Sequence, residues 1–321
     1  MKRVEILIAA CLGCVLTACQ STPPATNANT PPPPANAAAN GSSEPKLSEA
    51  KPPTFSSSSA PDTAEPVKFP FADFPRVGTT AKAGDYVLAP SYNWIKDAAE
   101  KGTDTVSFIW YVQKMSIPDK ENSELQFLQE RRKVPNAYII AIPPKQTAKK
   151  GDIVLTWWQT GSGMQRAIVV DDADPARPIV RYLDIAYDNP AKSRDGSTTI
   201  GKMDERLVPD SFMKLKTWDS GTAVAVQDGA NQKSAKVIQA SGDKVLVMES
   251  GGKVKVVPRK NCQPVPLTPS VNAGDRVKAP RYGQNFAAAT VSSIDARNGR
   301  VFVRFDGDSK DEAIAFGNIM K

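Results

Sequence analysis

Trp157 and Trp158 stand side by side, and Tyr182, Tyr187, Asp188 and Asn189 follow them. Ring faces attract cations and stack on flat or C–H surfaces, and neighbouring amide and carboxylate groups add hydrogen bonds. That is binding chemistry, with no nucleophile or general base in it. The chain has no histidine, which excludes Ser-His-Asp and Cys-His catalysis and most zinc sites. Asp171, Asp172 and Asp174 suggest a cation loop, but the glycine and terminal glutamate of an EF-hand are missing. They read as solvated hairpin carboxylates. Paired carboxylates can hydrolyse glycosides, but only at a set separation in space, which sequence does not give. Of the four cysteines, Cys11, Cys14 and Cys19 lie near the N-terminus and Cys262 stands alone in the body. One thiol cannot staple a fold, so Cys262 reads as a buried structural residue, with an exposed reactive thiol as the alternative. The residues name no catalytic group, no metal set and no cofactor, so the expectation is a protein that is not an enzyme.

Charge adds a second binding candidate. The net charge is +7; four basic and five acidic residues precede position 67, which leaves the remainder at +8. A basic body favours anionic partners, although solubility alone explains a modest excess. Lys253, Lys255, Arg259 and Lys260 make a basic edge, and lysines on a sheet edge also block edge-to-edge aggregation. Phe108, Trp110 and Tyr111 have little basic residue between them, unlike a platform for stacking nucleic-acid bases.

The elements that must position these side chains are strands. Gly274-Asp275 makes a turn, after which Val277 and Ala279 alternate as the inward face of a strand. Ala289-Thr290-Val291 forms a second strand, Val301, Val303 and Phe305 line a third, Ile314 and Phe316 a fourth, and Ile319-Met320 close the unit. Asn298-Gly299 predicts a type I′ hairpin turn. The unit has copies. Ala83 to Tyr92 matches Ala273 to Tyr282 at seven of ten positions. Lys150-Gly151-Asp152-Ile153-Val154 opens another copy, continued by Ala167-Ile168-Val169 and Ile179 to Tyr182, and Ser220-Gly221-Thr222-Ala223-Val224 opens a shorter one. Four copies argue for an array of small β units. The first departs most: Trp94 to Lys101 predicts a helix, Asp119 caps a second one through Arg132 with Leu125 and Leu128 on its apolar face, and Val106–Val112 and Tyr138–Ile142 read as strands. Pro143-Pro144 and Pro264-Val265-Pro266 mark seams.

The N-terminus reads as a processing signal. Lys2-Arg3 precedes an apolar stretch from Ile6 to Leu16 that is too short for a permanent transmembrane helix. Leu16-Thr17-Ala18-Cys19 resembles the lipobox of bacterial lipoproteins. The resemblance implies cleavage before Cys19, acylation of its sulfur and amine, and stable anchoring by several acyl chains. Gln20 rather than aspartate follows, which in that family points to the outer membrane. Residues 20–66, with Pro31 to Pro34 and Ser56 to Ser59, offer little to bury and predict a disordered tether. As a coil its 47 residues span roughly 35–40 Å.

Residues 273–320 resemble a Tudor/agenet-type SH3-like barrel, through Gly274-Asp275-x-Val277, Ala289-Thr290-Val291, Ser293-Ile294-Asp295 and Val301-x-Val303-x-Phe305. The resemblance implies a mainly β fold of tandem SH3-like barrels: 67–146 with helical insertions, 147–216, 217–268 and 269–321, after a signal peptide at 1–19. It also implies that aromatic residues enclose a methylated cation. Tyr282 and Phe305 fall near such cage positions, and Ala287, Asp308 and Lys310 stand where the family tends to carry aromatics and an asparagine. The 147–216 copy supplies Trp157, Trp158, Tyr182, Tyr187 and Asn189 for an aromatic cleft, unless those rings fill the small barrel itself. The functional expectation is a lipid-anchored outer-membrane binding protein that engages a protein segment, peptidoglycan or another anionic envelope polymer, rather than nucleic acid. The alternative is a structural accessory of an envelope complex.

Overall fold

Four times along the chain, a glycine with φ between 88° and 89° turns the backbone into a short strand: Gly84, Gly151, Gly221 and Gly274. The structure, a computed structural model, describes residues 47–55, 66–127, 130–161, 163–185 and 204–321. Cys19 and its lipobox, most of the expected tether, Leu128, Tyr187, Asp188 and Asn189 lie outside the described residues. The described chain is mainly β, with one α-helix.

A short strand β1 (Ser48–Glu49) precedes four antiparallel strand sets. The first set is β2 (Tyr86–Pro90), helix α1 (Tyr92–Lys101), β3 (Trp110–Ile117), β4 (Asn122–Phe127), β5 (Glu130–Pro135) and β6 (Ile140–Ala141). The second is β7 (Ile153–Trp157), β8 (Met164–Asp171), β9 (Ile179–Tyr182), β10 (Glu205–Arg206) and β11 (Met213–Lys214). The third is β12 (Ala223–Asp228), β13 (Asn231–Ser241), β14 (Lys244–Glu249), β15 (Val254–Pro258) and β16 (Cys262–Pro264). The fourth is β17 (Arg276–Arg281), β18 (Asn285–Asp295), β19 (Arg300–Phe305) and β20 (Glu312–Ala315).

The sets share one plan. In each, the first strand lies between the second strand and the closing segment, and the third and fourth strands follow on the far side. The residue four after the turn glycine pairs with that closing segment every time: Leu88 with Ile140, Leu155 with Met213, Ala225 with Gln263, and Lys278 with Met320. The turn is fastened identically too. Gly84, Gly151, Gly221 and Gly274 donate their N–H to the carbonyls of Met115, Val169, Val237 and Val291 at 2.7–2.9 Å. Immediately beyond each acceptor the second strand carries a bulge. A bulge sharpens the local twist, so each strand bends over its own small core at the same point.

The third set has the turn twice. In the other three, the aspartate after the glycine folds back: Asp85, Asp152 and Asp275 accept from the N–H of Lys82, Lys149 and Asn272 at 2.8 Å. Asp219 does the same to Lys216 at 2.7 Å, with Trp218 in the glycine position at φ 74°. A second turn at Gly221 then opens β12.

Both faces of several strands are buried, which explains the unbroken run Ile153-Val154-Leu155-Thr156-Trp157. Val154, Ala167, Val169, Val180 and Phe212 form the internal core of the second set. Ile153, Leu155 and Trp157 face the other way, into one cluster that continues through Leu88, Ile238 and Val301 of the remaining sets. The third and fourth sets also join where the starts of β13 and β18 pair, at Lys233 and Asn285.

Several expectations are corrected. The predicted second helix is the β4–β5 hairpin, with Leu125 opposite Arg132. Its Leu, Gln and Glu favour helix, but pairing with β3 overrides that weak preference and buries Leu125. Asp119 caps no helix; its carbonyl accepts from Asn136 Nδ2 at 2.9 Å. At Asn298-Gly299 only Gly299 has positive φ, so the four-residue connection is not type I′. The expected tether is not featureless, because β1 adds in parallel to β10 and the Phe55 ring lies 6.4 Å from Tyr86.

Candidate functional site

The aromatic residues singled out in the sequence separate into different environments. Trp157 ends β7 at 1% exposure, its ring 5.0 Å from Tyr86 of the first set. It is a wedge between strand sets and offers no face to a ligand. Trp158 is half-buried and folds over its own loop: a Cβ on Gly161 would fall 2.4 Å from its ring. Tyr182 is buried, with its hydroxyl accepting from Gln159 N–H at 3.0 Å and donating to Glu205. Burial, then the Glu205 carboxylate, push its phenol well above the usual range. Trp157, Trp158 and Tyr182 therefore pack the fold and do not make the expected cleft. A small sheet buried on both faces needs large rings on each side.

Tyr282 and Phe305 do approach one position, and the protein's own cation fills it. Arg281 places its guanidinium 5.4 Å from the Tyr282 ring and 5.7 Å from the Phe305 ring. Asp308 holds it there at 2.6 Å. Tyr282 is 75% exposed on a tight turn with Gly283, both at positive φ, whereas Phe305 is core. No methylated side chain is needed to complete this arrangement.

The remaining sequence candidates also resolve into structure. Asp171 and Asp174 accept from the N–H groups of Ala173 and Ala176 at 3.0 and 3.2 Å, so they cap their own turn. Among the described residues no group of three potential ligands could hold a metal. Cys262 is buried, and burial raises its thiol pKa. On the basic edge, Lys255 pairs with Glu249, Lys253 reaches the Asp104 carbonyl, and Arg259 stacks on Trp218.

Sequence reasoning missed a buried ion cluster between strand sets. Arg166 in β8 is fully buried and binds Asp184 at 2.8 Å, and Lys236 in β13 binds the same carboxylate at 2.9 Å. Arg166 also donates to the carbonyls of Phe316 and Gly317 and to Asn318 Oδ1. Burial alone would raise the Asp184 carboxyl, but Arg166 and Lys236 outweigh it and hold it well below the usual range. The cluster is a clamp joining the second, third and fourth sets. Nothing in a single sequence announces it, because charged residues are usually exposed.

What the clamp and wedge leave between the sets is a groove. A cavity of about 290 Å³ is walled by Ile109, Met164 and Met248, with Lys236, Ser250 and Gly283 around it. It adjoins a second of about 200 Å³ lined by polar side chains, including Ser234, Gln284 and Asn285. Ile109 is 46% exposed although it neighbours two buried rings, Phe108 and Trp110. Phe108 N–H donates to the Gly252 carbonyl at 2.9 Å, and a Cβ on Gly252 would meet Phe108 O at 2.6 Å. Only glycine permits that contact, which fixes the groove's width. The two methionines give its wall an adaptable, polarizable surface.

No protein-family model matches the chain, and a search of curated proteins gave no match. Among the described residues, no helix is long and apolar enough to cross a membrane.

Proposed function

We propose that the chain is a lipid-anchored envelope binding protein, in which four SH3-like barrels present one groove to a segment of a partner protein. Cys19 carries the lipid at the outer membrane and so links the strand sets to the bilayer. Support for the barrel reading comes from the strand order shared by the four sets, last–first–second–third–fourth, and from the bulge repeated in each second strand. The observation that carries the binding reading is the groove. It pairs an exposed isoleucine and two methionines with a polar end, and so suits an extended segment bearing an apolar anchor. Methylated-cation recognition is set aside, because Arg281 already lies over both rings.

A second reading, a structural accessory of an envelope complex, draws support from the Arg166–Asp184–Lys236 clamp, which stiffens the array. Capture of full-length protein from envelope extract separates the two. A groove binder loses its captured protein on Ile109→Asp, a change at a position 46% exposed, with a thermal melt of the variant as the check on its fold. An accessory docking elsewhere retains a stoichiometric complex in that variant.

A further inference from the structure

Trp218 occupies a backbone position where the three sister turns have glycine. Lys216 to Asp219 superposes by hydrogen bonding on Lys149 to Asp152: the aspartate N–H reaches the first carbonyl at 3.1 and 2.9 Å, and the aspartate Oδ2 accepts from the first N–H at 2.7 and 2.8 Å. Gly84, Gly151 and Gly274 all lie at φ 89°, and Trp218 lies at 74°. A bulky residue in the left-handed region is strained, and such strain concentrates at ligand sites. Trp218 packs against the third set's core and lines a pocket of about 240 Å³ between the first, second and third sets, together with Thr79, Thr80, Met213, Ser220 and Gln239.

We propose that this pocket is a binding site for a neutral sugar ring, separate from the groove. Its charge narrows the ligand. Asp219 is the one ionisable group among the lining residues, and its carboxylate is engaged by Lys216 N–H. Arg259, outside the lining, places its guanidinium 4.4 Å from the Trp218 ring centroid. A second cation on the same ring would be repelled, which excludes ammonium ligands. A pyranose has an apolar C–H face to lie against an indole, and hydroxyl or acetamido groups to meet threonine, serine and glutamine.

The test is calorimetric titration of the full-length protein with an N-acetylglucosamine tetrasaccharide, alongside tryptophan emission. Saturable binding is expected, weakened about tenfold or more by Trp218→Gly. That variant relieves the backbone strain but gives up the indole's packing against the third set's core and Arg259, so its thermal melt is recorded beside the titration to separate lost binding from lost fold. Gln239→Ala gives an independent check, with weaker binding and an unchanged fold. Absence of binding, or equal binding by both variants, overturns the proposal. So does an uncharged alanine-rich peptide that binds more tightly than the sugar and loses its affinity in the same variants.

Discussion

Arg166 Nη2 lies 2.8 Å from Asp184 Oδ1, and Lys236 Nζ approaches the other oxygen of that carboxylate at 2.9 Å. One buried anion thus holds cations from two strand sets. Removing it leaves both cations uncompensated, so Asp184→Asn is expected to destabilise the fold by about 3–5 kcal/mol. Denaturant melts at neutral pH check this.

The same pair fixes the acid response. The folded pKa of Asp184 is depressed, so the unfolded chain takes up the proton first. The stabilisation is complete above the unfolded value of about 3.9 and is lost progressively as pH falls from there toward the folded value. Asp184→Asn should flatten this part of the stability–pH curve. An unchanged acid limb in the variant would contradict the assignment.

The β content and the Gly-Asp turns were legible because they are local. Gly-Asp turns and alternating apolar residues specify a strand within a few positions, and Gly84, Gly151 and Gly274 turn the chain as their residue types require. The β4–β5 hairpin was misread because its partner strand, not its own composition, decides its conformation. The aromatic candidates were misplaced for a related reason. Periodicity cannot tell a ring facing solvent from a ring facing another strand set, and Trp157 is the second kind. Trp218 was overlooked because the signal there, a turn with tryptophan in the glycine slot, shows only when φ is known.

Gly252 sets the groove's width, and its φ is 79°. Gly252→Ala forces a Cβ against Phe108 O and strains the backbone, so a loss of about 2 kcal/mol or more is expected. Hydrogen exchange should show protection lost first at the Phe108 amide.

Cys262 should resist thiol reagents at neutral pH in the folded protein, since burial both hides the sulfur and disfavours the thiolate. Labelling should proceed at the rate of unfolding and become fast in denaturant. Fast labelling of the native protein would contradict the burial.

Arg281 fills the space between Tyr282 and Phe305. A trimethyllysine peptide should therefore show no saturable binding to the wild-type protein. Asp308→Ala should cost under about 1 kcal/mol, as expected for a partly exposed pair.

The most direct measurement is site-specific photocrosslinking in intact cells, with the probe at position 109 in the groove and, separately, at exposed position 310. The account predicts a discrete protein adduct from position 109, absent from position 310 and abolished by Met248→Arg. Equal adducts from both positions, or none from position 109, would contradict the groove as the binding site.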